Sequence, residues 1–252
     1  MAANFRQSDI LEIAQTQGRV SVDDLSERLG ISVQTIRKDL AQLAEAGKLE
    51  RVHGGAILPS GVTNIDYAER QELNRAAKAA IATRCAADIP DNASVFLNIG
   101  TSTEAVAREL LNHRNLMVVT NNMNIAQILA TNPTLEVIVA GGTLRRSDGG
   151  LTGPQTVLMI QTFKFDYAVI GCSALDQDGD ILDFDLAEVG VSQTVIAQSR
   201  ERFLVADITK FTRTAPVRIA SLKDLTRFYT DAPPSPQIQR KCDSWKTQII
   251  QS

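Results

Sequence analysis

Aromatic residues are scarce in this chain of 252 residues, at 5% of positions, and there are only one tryptophan, three cysteines and two histidines. Cys85, Cys172 and Cys242 are odd in number, widely spaced and not grouped with His53 or His113, which excludes a disulfide framework and a zinc site. No apolar run approaches the ~20 residues needed to cross a bilayer; LMVV from Leu116 and LEVIVA from Leu135 are typical. The opening MAANFRQSDI carries no signal-type apolar core, so a reduced, cytoplasmic protein without a membrane partner is expected. A strong excess of either charge is missing too: 26 Lys and Arg face 29 Asp and Glu, for a net −3. That balance is mildly awkward for binding nucleic acid, so any DNA contact must depend on where a few cations sit. Internal repeats and low-complexity segments are absent, and no cofactor is expected.

What is present is concentrated between Val20 and Ile57. Ser21 with Asp24 forms an S-x-x-D start signal, after which Val22, Leu25 and Leu29 recur at helical spacing up to Gly30. Ser32 then caps a second helix on which Val33, Ile36, Leu40 and Leu43 form one apolar stripe. Gln34 and Lys38 fall opposite that stripe, with Thr35 and Arg37 on its shoulders. Lys can donate to guanine edges, Gln can pair with adenine, Thr can touch a thymine methyl and Arg can hold a phosphate. Lys48 to Ile57 reads as strand, turn, strand, with Gly54 and Gly55 at the bend and Arg51 and His53 on the hairpin. The combination predicts a winged helix-turn-helix, with Ser32, Gln34, Thr35, Arg37, Lys38, Arg51 and His53 facing DNA. A small helical domain with a solvated face is the bland alternative; two caps, a turn glycine, a polar outer face and a basic hairpin together favour DNA. Because one head offers few cations, a homo-oligomer, dimer or tetramer, is expected to bring several heads to one operator.

Ahead of the head, Phe5 to Gln17 carries Ile10, Leu11, Ile13 and Ala14 at helical spacing. Residues 1–57 are therefore the DNA-binding domain. Residues 58–73, with Pro59 and Gly61, read as a linker, and 74–252 as a second domain for effector sensing and oligomerisation. From Ser94 short apolar strands alternate with helices, which predicts an α/β domain with a doubly wound, mainly parallel sheet. A final amphipathic stretch from Ile238 to Ile250 is expected to dock on that sheet. Asp176, Asp178, Gly179 and Asp180 read as a hairpin turn rather than a calcium loop, since no bidentate Glu follows at the twelfth position.

Ligands bind such sheets beyond the carboxyl ends of their strands. There, Gly100, Thr101, Ser102 and Thr103 open a helix with hydroxyls and backbone N–H groups suited to phosphate, although helix capping alone would also explain them. Thr120 and Asn121 end the next strand and suit sugar or polyol hydroxyls. Gly142 precedes Arg145, a candidate phosphate clamp. Lys210, beside Asp207 after a later strand, is another candidate, against the alternative of an ordinary ion pair.

SVQTIRKDLAQLAEAGKLERVHGGA resembles the N-terminal signature of the DeoR family of bacterial repressors, and IGTST, TNN, AGGTLR, GGLTGP and ADITKF resemble, in order, its sugar-phosphate-sensing domain. That resemblance implies a fold like the ribose-5-phosphate isomerase and CoA-transferase group, and an operator-binding repressor released by a phosphorylated metabolite. Glycerol-3-phosphate heads the expected effectors. Carried over by position, Gly100 to Thr103 would hold the phosphate, with Asn98, Thr120, Asn121, Gly142, Arg145, Glu188 and Lys210 around the rest. Asn98 stands where the family pattern has Asp, Ala174 where it has Gly, and Gly190, Ser192 and Gln193 occupy a segment after Glu188 that usually carries Lys or Arg. The competing reading is a phosphosugar isomerase with an accessory head, Glu188 or an Asp serving as base and Lys210 as electrophile.

Overall fold

The structure, a computed structural model, describes residues 2–17, 19–52, 54–57 and 64–252; His53 lies outside the described residues. Helix α1 (Ala2–Gln17) leads through strand β1 (Arg19–Ser21) to helices α2 (Val22–Leu29) and α3 (Val33–Glu45), followed by β2 (Glu50–Val52) and β3 (Gly55–Ile57). Ser21 Oγ accepts the Asp24 N–H at 3.0 Å and Ser32 Oγ that of Thr35 at 3.3 Å, so both serines cap as their spacing predicts. Gly30 closes α2 in the left-handed region, at φ 64°. Ile36, Leu40 and Leu43 of α3 are buried against Ile10, Ala14 and Leu25. Asp39 is buried on the same helix and takes Arg6 Nε at 2.5 Å and Nη2 at 3.1 Å, fastening α3 to α1 through a two-point ion pair. The sheet runs β1-β3-β2, antiparallel throughout. Its two glycines have separate duties: Gly54 turns at φ 77°, while a Cβ on Gly55 would stand 1.9 Å from the Val20 carbonyl oxygen.

After Asn64 the chain forms α4 (Tyr67–Glu72) and α5 (Arg75–Ala87), then β4 (Ser94–Leu97), α6 (Thr101–Leu110), β5 (Met117–Thr120), α7 (Met123–Leu129) and β6 (Glu136–Val139). A hairpin of β7 (Thr143–Arg145) and β8 (Gly150–Thr152) precedes α8 (Pro154–Gln161) and β9 (Phe165–Ile170). Strands β10 (Ala174–Leu175) and β11 (Asp180–Asp183), helix α9 (Leu186–Ala197), and strands β12 (Ser199–Val205), β13 (Val217–Ser221) and β14 (Arg227–Thr230) follow, and α10 (Pro236–Trp245) and β15 (Gln248–Gln251) close the chain.

Seven strands pair in parallel in the order β15-β14-β12-β9-β4-β5-β6. Both faces are covered, which is why the central stretches of β4, β5 and β9 and the second half of β12 carry apolar residues on both sides. Val95, Leu97, Val118 and Val169 point to one core beneath α5, α6 and α7, while Phe96, Val119, Ala168 and Ile170 point to the other. The small sheet β10-β11-β13 is antiparallel. Asp176 Oδ1 accepts the N–H groups of Asp178 at 2.9 Å and Asp180 at 2.8 Å, and Gly179 turns at φ 86°, so this acidic cluster is the β10–β11 turn.

Two stretches differ from expectation. The tail is not one amphipathic element: Lys246 adopts a left-handed conformation at φ 63°, ends α10, and redirects the chain into β15 at the sheet edge. The 58–73 segment, read as a linker, carries α4 in its second half, and Asn64, Tyr67 and Arg70 hydrogen-bond to the sensor domain. Six residues are too few for periodicity to reveal such a helix.

Candidate functional site

Strand β4 is followed by β5 and β6 on one side, and the chain then returns to β9 on the other, so the order reverses between β4 and β9. Outside this switch point lies a cavity of about 540 Å³, within the range of small-molecule sites. Gly100, Thr101 and Ser102 reach it from the β4–α6 loop, and Gly171, Cys172 and Ser173 from the end of β9. Arg145, Asp148, Asp183, Asp185, Glu188 and Lys210 complete much of the wall. Gly100, at φ 146° and ψ 153°, has a backbone conformation suited to glycine and starts α6 with its N–H groups toward the cavity side of the sheet.

Six of the expected ligand residues therefore gather: Gly100, Thr101, Ser102, Arg145, Glu188 and Lys210. Asn98, Thr103, Thr120, Asn121 and Gly142 stand behind the wall. Thr103 Oγ1 donates to the carbonyls of Asn98 at 2.6 Å and Gly100 at 2.7 Å, shaping the loop from within. Thr120 Oγ1 donates to the Leu97 carbonyl at 2.7 Å, and Asn121 Nδ2 to the Leu151 carbonyl at 3.0 Å, so both tie neighbouring strand ends together. At Gly142 a Cβ would meet Thr156 Oγ1 at 2.1 Å, which makes it a packing glycine.

Two charge groups meet at the cavity. Arg145 donates to Asp148 at 2.8 Å through both Nε and Nη2, to Asp185 at 2.6 Å and to Glu188 at 2.5 Å. Its guanidinium is thus engaged by three carboxylates, where the sequence suggested a free phosphate clamp. Burial opposes the Arg145 charge, but its hydrogen bonds to Asp148 and the field of Glu188 outweigh it and raise its pKa. Burial, and then the Asp183 charge, push the Glu188 carboxyl up to about 7 against the pull of Arg145.

The second group is basic. Lys210 is buried, and burial followed by the nearby Arg213 lowers its pKa, with Asp207 opposing. Lys78 is pushed down to about 8 by burial and then by Lys210. For Asp207, burial would favour the neutral acid, but Lys210, a Thr209 hydrogen bond, Arg213 and Lys78 hold it below the usual carboxylate range. Arg70 Nε and the Nε and Nη2 atoms of Arg213 are buried without a hydrogen-bond partner. Unmet donors on charged groups are costly, and an anion is the species that would satisfy them.

Sequence reasoning missed Arg70, Lys78, Asp148, Asp183 and Arg213. Arg70 lay in the presumed linker and Lys78 in an Ala-rich helix with no motif around it, so only the fold reveals their convergence.

On the head, Gln34, Arg37 and Lys38 of α3 and Arg51 of β2 are exposed, and so is Ser32. Thr35 is half-buried, its Oγ1 2.9 Å from Ser32 Oγ, which makes this pair part of the cap as well as of the outer face.

Residues 6–62 match the DeoR-like helix-turn-helix domain, and residues 73–232 match the DeoR C-terminal sensor domain. The chain belongs to the DeoR family. It is 42% identical, over 93% of each chain, to the glycerol-3-phosphate regulon repressor of Escherichia coli, and 43% identical to that of Haemophilus influenzae over 91% of this chain and 90% of that one. A further relative is the transcriptional repressor CsqR of Escherichia coli, at 37% identity over 99% of this chain and 96% of the other. Among solved structures, ribose 5-phosphate isomerase A from Methanocaldococcus jannaschii aligns at a TM-score of 0.41 and 12% identity over 55% of each chain. The protein is a DNA-binding transcriptional repressor of the DeoR type. No helix among the described residues is long and apolar enough to cross a membrane.

The departures from the family pattern now acquire a structural connection. Asn98 Nδ2 donates to Ser192 Oγ at 2.7 Å in a buried site, and Asn98 Oδ1 accepts the Ile99 N–H at 2.7 Å. A neutral amide faces a neutral hydroxyl here, so this buried contact strands no charge. Gln193 instead donates to the Ile219 carbonyl at 3.1 Å, away from the cavity.

Proposed function

We propose that the protein binds its operator as a homo-oligomer, dimer or tetramer, and releases it when glycerol-3-phosphate or a related sugar phosphate fills the cavity of the sensor domain. The observation that carries this reading is the meeting, on one cavity wall, of the unmet Arg70 Nε donor and the buried Lys210 with the hydroxyls of Thr101 and Ser102 at the head of α6. A phosphate would answer those donors. The carboxylates of Asp183 and Glu188 offer acceptors for the hydroxyls of a short polyol, so a molecule with an anionic end and a diol end fits the two charge groups. The relatives named as glycerol-3-phosphate regulon repressors support the same effector, and the small number of cations on one head supports an oligomer. In this reading the cavity is a sensor and catalyses nothing, and the protein works in the cytoplasm.

The test is fluorescence anisotropy of a labelled duplex from upstream of its own gene, at fixed salt, titrated with glycerol-3-phosphate. Release at micromolar to millimolar effector supports the reading. Binding that ignores glycerol-3-phosphate and other phosphorylated polyols refutes it. Thr101→Val should bind operator but resist release, behaving as a super-repressor; normal induction would reduce the loop to a helix cap.

A further inference from the structure

Helix α4 starts at Tyr67, ten positions after the wing strand β3 ends at Ile57, and is the first helix or strand after the wing among the described residues. Its seat is built from few contacts. Asn64 Nδ2 donates to Ser173 Oγ at 2.9 Å, and the Tyr67 hydroxyl donates to the buried Glu104 carboxylate at 2.9 Å. Arg70 Nη2 donates to Asp148 Oδ2 at 3.2 Å. The Arg70 carbonyl, at the far end of the helix, accepts Thr101 Oγ1 at 3.2 Å and the Lys78 ammonium.

Two of these contacts use groups that an anion in the cavity would claim. Arg70 lines the cavity with a buried, unpartnered Nε, and Thr101 is the first hydroxyl of the α6 loop. We propose that Arg70 is the residue through which effector occupancy reaches the DNA head. The anion draws the Arg70 guanidinium from Asp148 and the Thr101 proton from the Arg70 carbonyl, and α4 is reseated with the chain leading to the wing. This inference rests on the effector reading above.

The exchange is chemically cheap on the side that is left. Asp148 keeps both hydrogen bonds from Arg145 at 2.8 Å and the Gly150 N–H at 3.3 Å, so no buried carboxylate is abandoned. Arg70 gains, since a planar guanidinium can meet a phosphate with two parallel N–H groups, including the Nε that now has no partner. Tyr67 holds Glu104 with a hydroxyl whose pKa is pushed up to about 12 by burial and by that hydrogen bond, so it stays a donor and keeps the start of α4 in place. A helix held at one end and exchanged at the other is a two-state element whose balance the effector can bias.

The experiment is calorimetric titration of the full chain with glycerol-3-phosphate, alone and on saturating operator duplex. The ratio of the two dissociation constants is the coupling, roughly 5- to 150-fold for allosteric proteins in general. Ser102→Ala, which removes a cavity hydroxyl with no hydrogen bond to α4, should weaken both constants by the same factor and keep the ratio. Arg70→Gln should weaken binding to the free protein by about tenfold or more and bring the ratio close to one. Arg70→Lys, which keeps the charge but not the two-point geometry, should lower the ratio at least about threefold. Weakened binding with a wild-type ratio in both Arg70 variants would make Arg70 a mere contact and overturn the inference. Unchanged effector binding would overturn it as well. A wild-type protein whose ratio is one refutes the effector reading itself, and the inference falls with it.

Discussion

Replacing Asn98 by Asp changes one heavy atom and tests whether the buried Asn98–Ser192 contact tolerates a charge. Position 98 is 1% exposed, and so is Ser192, its partner at 2.7 Å. A carboxylate there keeps the Ile99 N–H and gains the Ser192 proton only if that hydroxyl turns round. Two donors do not replace water around a buried charge, and Glu188, one turn before Ser192 on α9, adds a like charge nearby. Burial of this kind raises a carboxyl pKa by roughly 2 to 3 units above its ordinary ~3.9, which corresponds to a destabilisation of about 3 to 4 kcal/mol at pH 7.5. The sign follows from linkage. With the folded pKa above the unfolded one, the penalty is absent below about pH 4, is about 1.5 kcal/mol at pH 5, and is complete once the pH passes the folded value. Urea unfolding followed by tryptophan fluorescence measures it cleanly, because the only tryptophan, Trp245, packs against the sensor core. Ser192→Lys should also destabilise alone, yet the double variant should recover about 2 kcal/mol relative to the sum. A cost below about 1 kcal/mol with no pH dependence, or strict additivity in the double variant, would refute the argument that positions 98 and 192 act as one coupled pair.

Three further outcomes follow from the same geometry. Lys38→Ala should lower operator affinity by about tenfold or more in an anisotropy titration, with a smaller salt slope, while glycerol-3-phosphate binding persists in calorimetry; loss of both would indicate a misfolded chain. Gly55→Ala forces a Cβ to within 1.9 Å of the Val20 carbonyl oxygen and should separate β3 from β1, abolishing operator binding without shifting the Trp245 unfolding transition. Lys78→Met should stabilise the sensor domain at pH 7, because it removes a buried ammonium whose pKa is pushed down to about 8. That gain should shrink as the pH rises from 8 through the unfolded lysine pKa of ~10.4, above which the amine is neutral in both states; a gain that does not change with pH would contradict the burial argument.

The head was legible because its determinants are contiguous. Ser21, Gly30 and Ser32 act on backbone groups within a few residues, and the Ile36-Leu40-Leu43 stripe needs only helical periodicity to be read. The parallel sheet was legible for a related reason: apolar strands alternating with helices have few other ways to bury both faces. Asp39 was not legible, since it looks like one more surface acid until α1 brings Arg6 to it.

Sequence alone therefore determined the head and sheet architectures, the polar outer face of α3 and the loop that opens the cavity, all properties of local pattern and chain order. It also placed Thr101, Ser102, Arg145, Glu188 and Lys210 around one cavity, because residues that follow strand carboxyl ends converge. Which way each of those residues points was decided by tertiary structure. Successive side chains at a strand end alternate between faces, so Thr120 and Asn121 turn into hydrogen bonds with Leu97 and Leu151. The balance of charge was decided there as well. Arg145 is drawn to three carboxylates, and Arg70, Lys78 and Arg213, distant in sequence and outside any motif, gather around Lys210 and Asp207 because packing brings α4 and α5 against the ends of the sheet. Electrostatics acts across space, and only the folded chain fixes those distances.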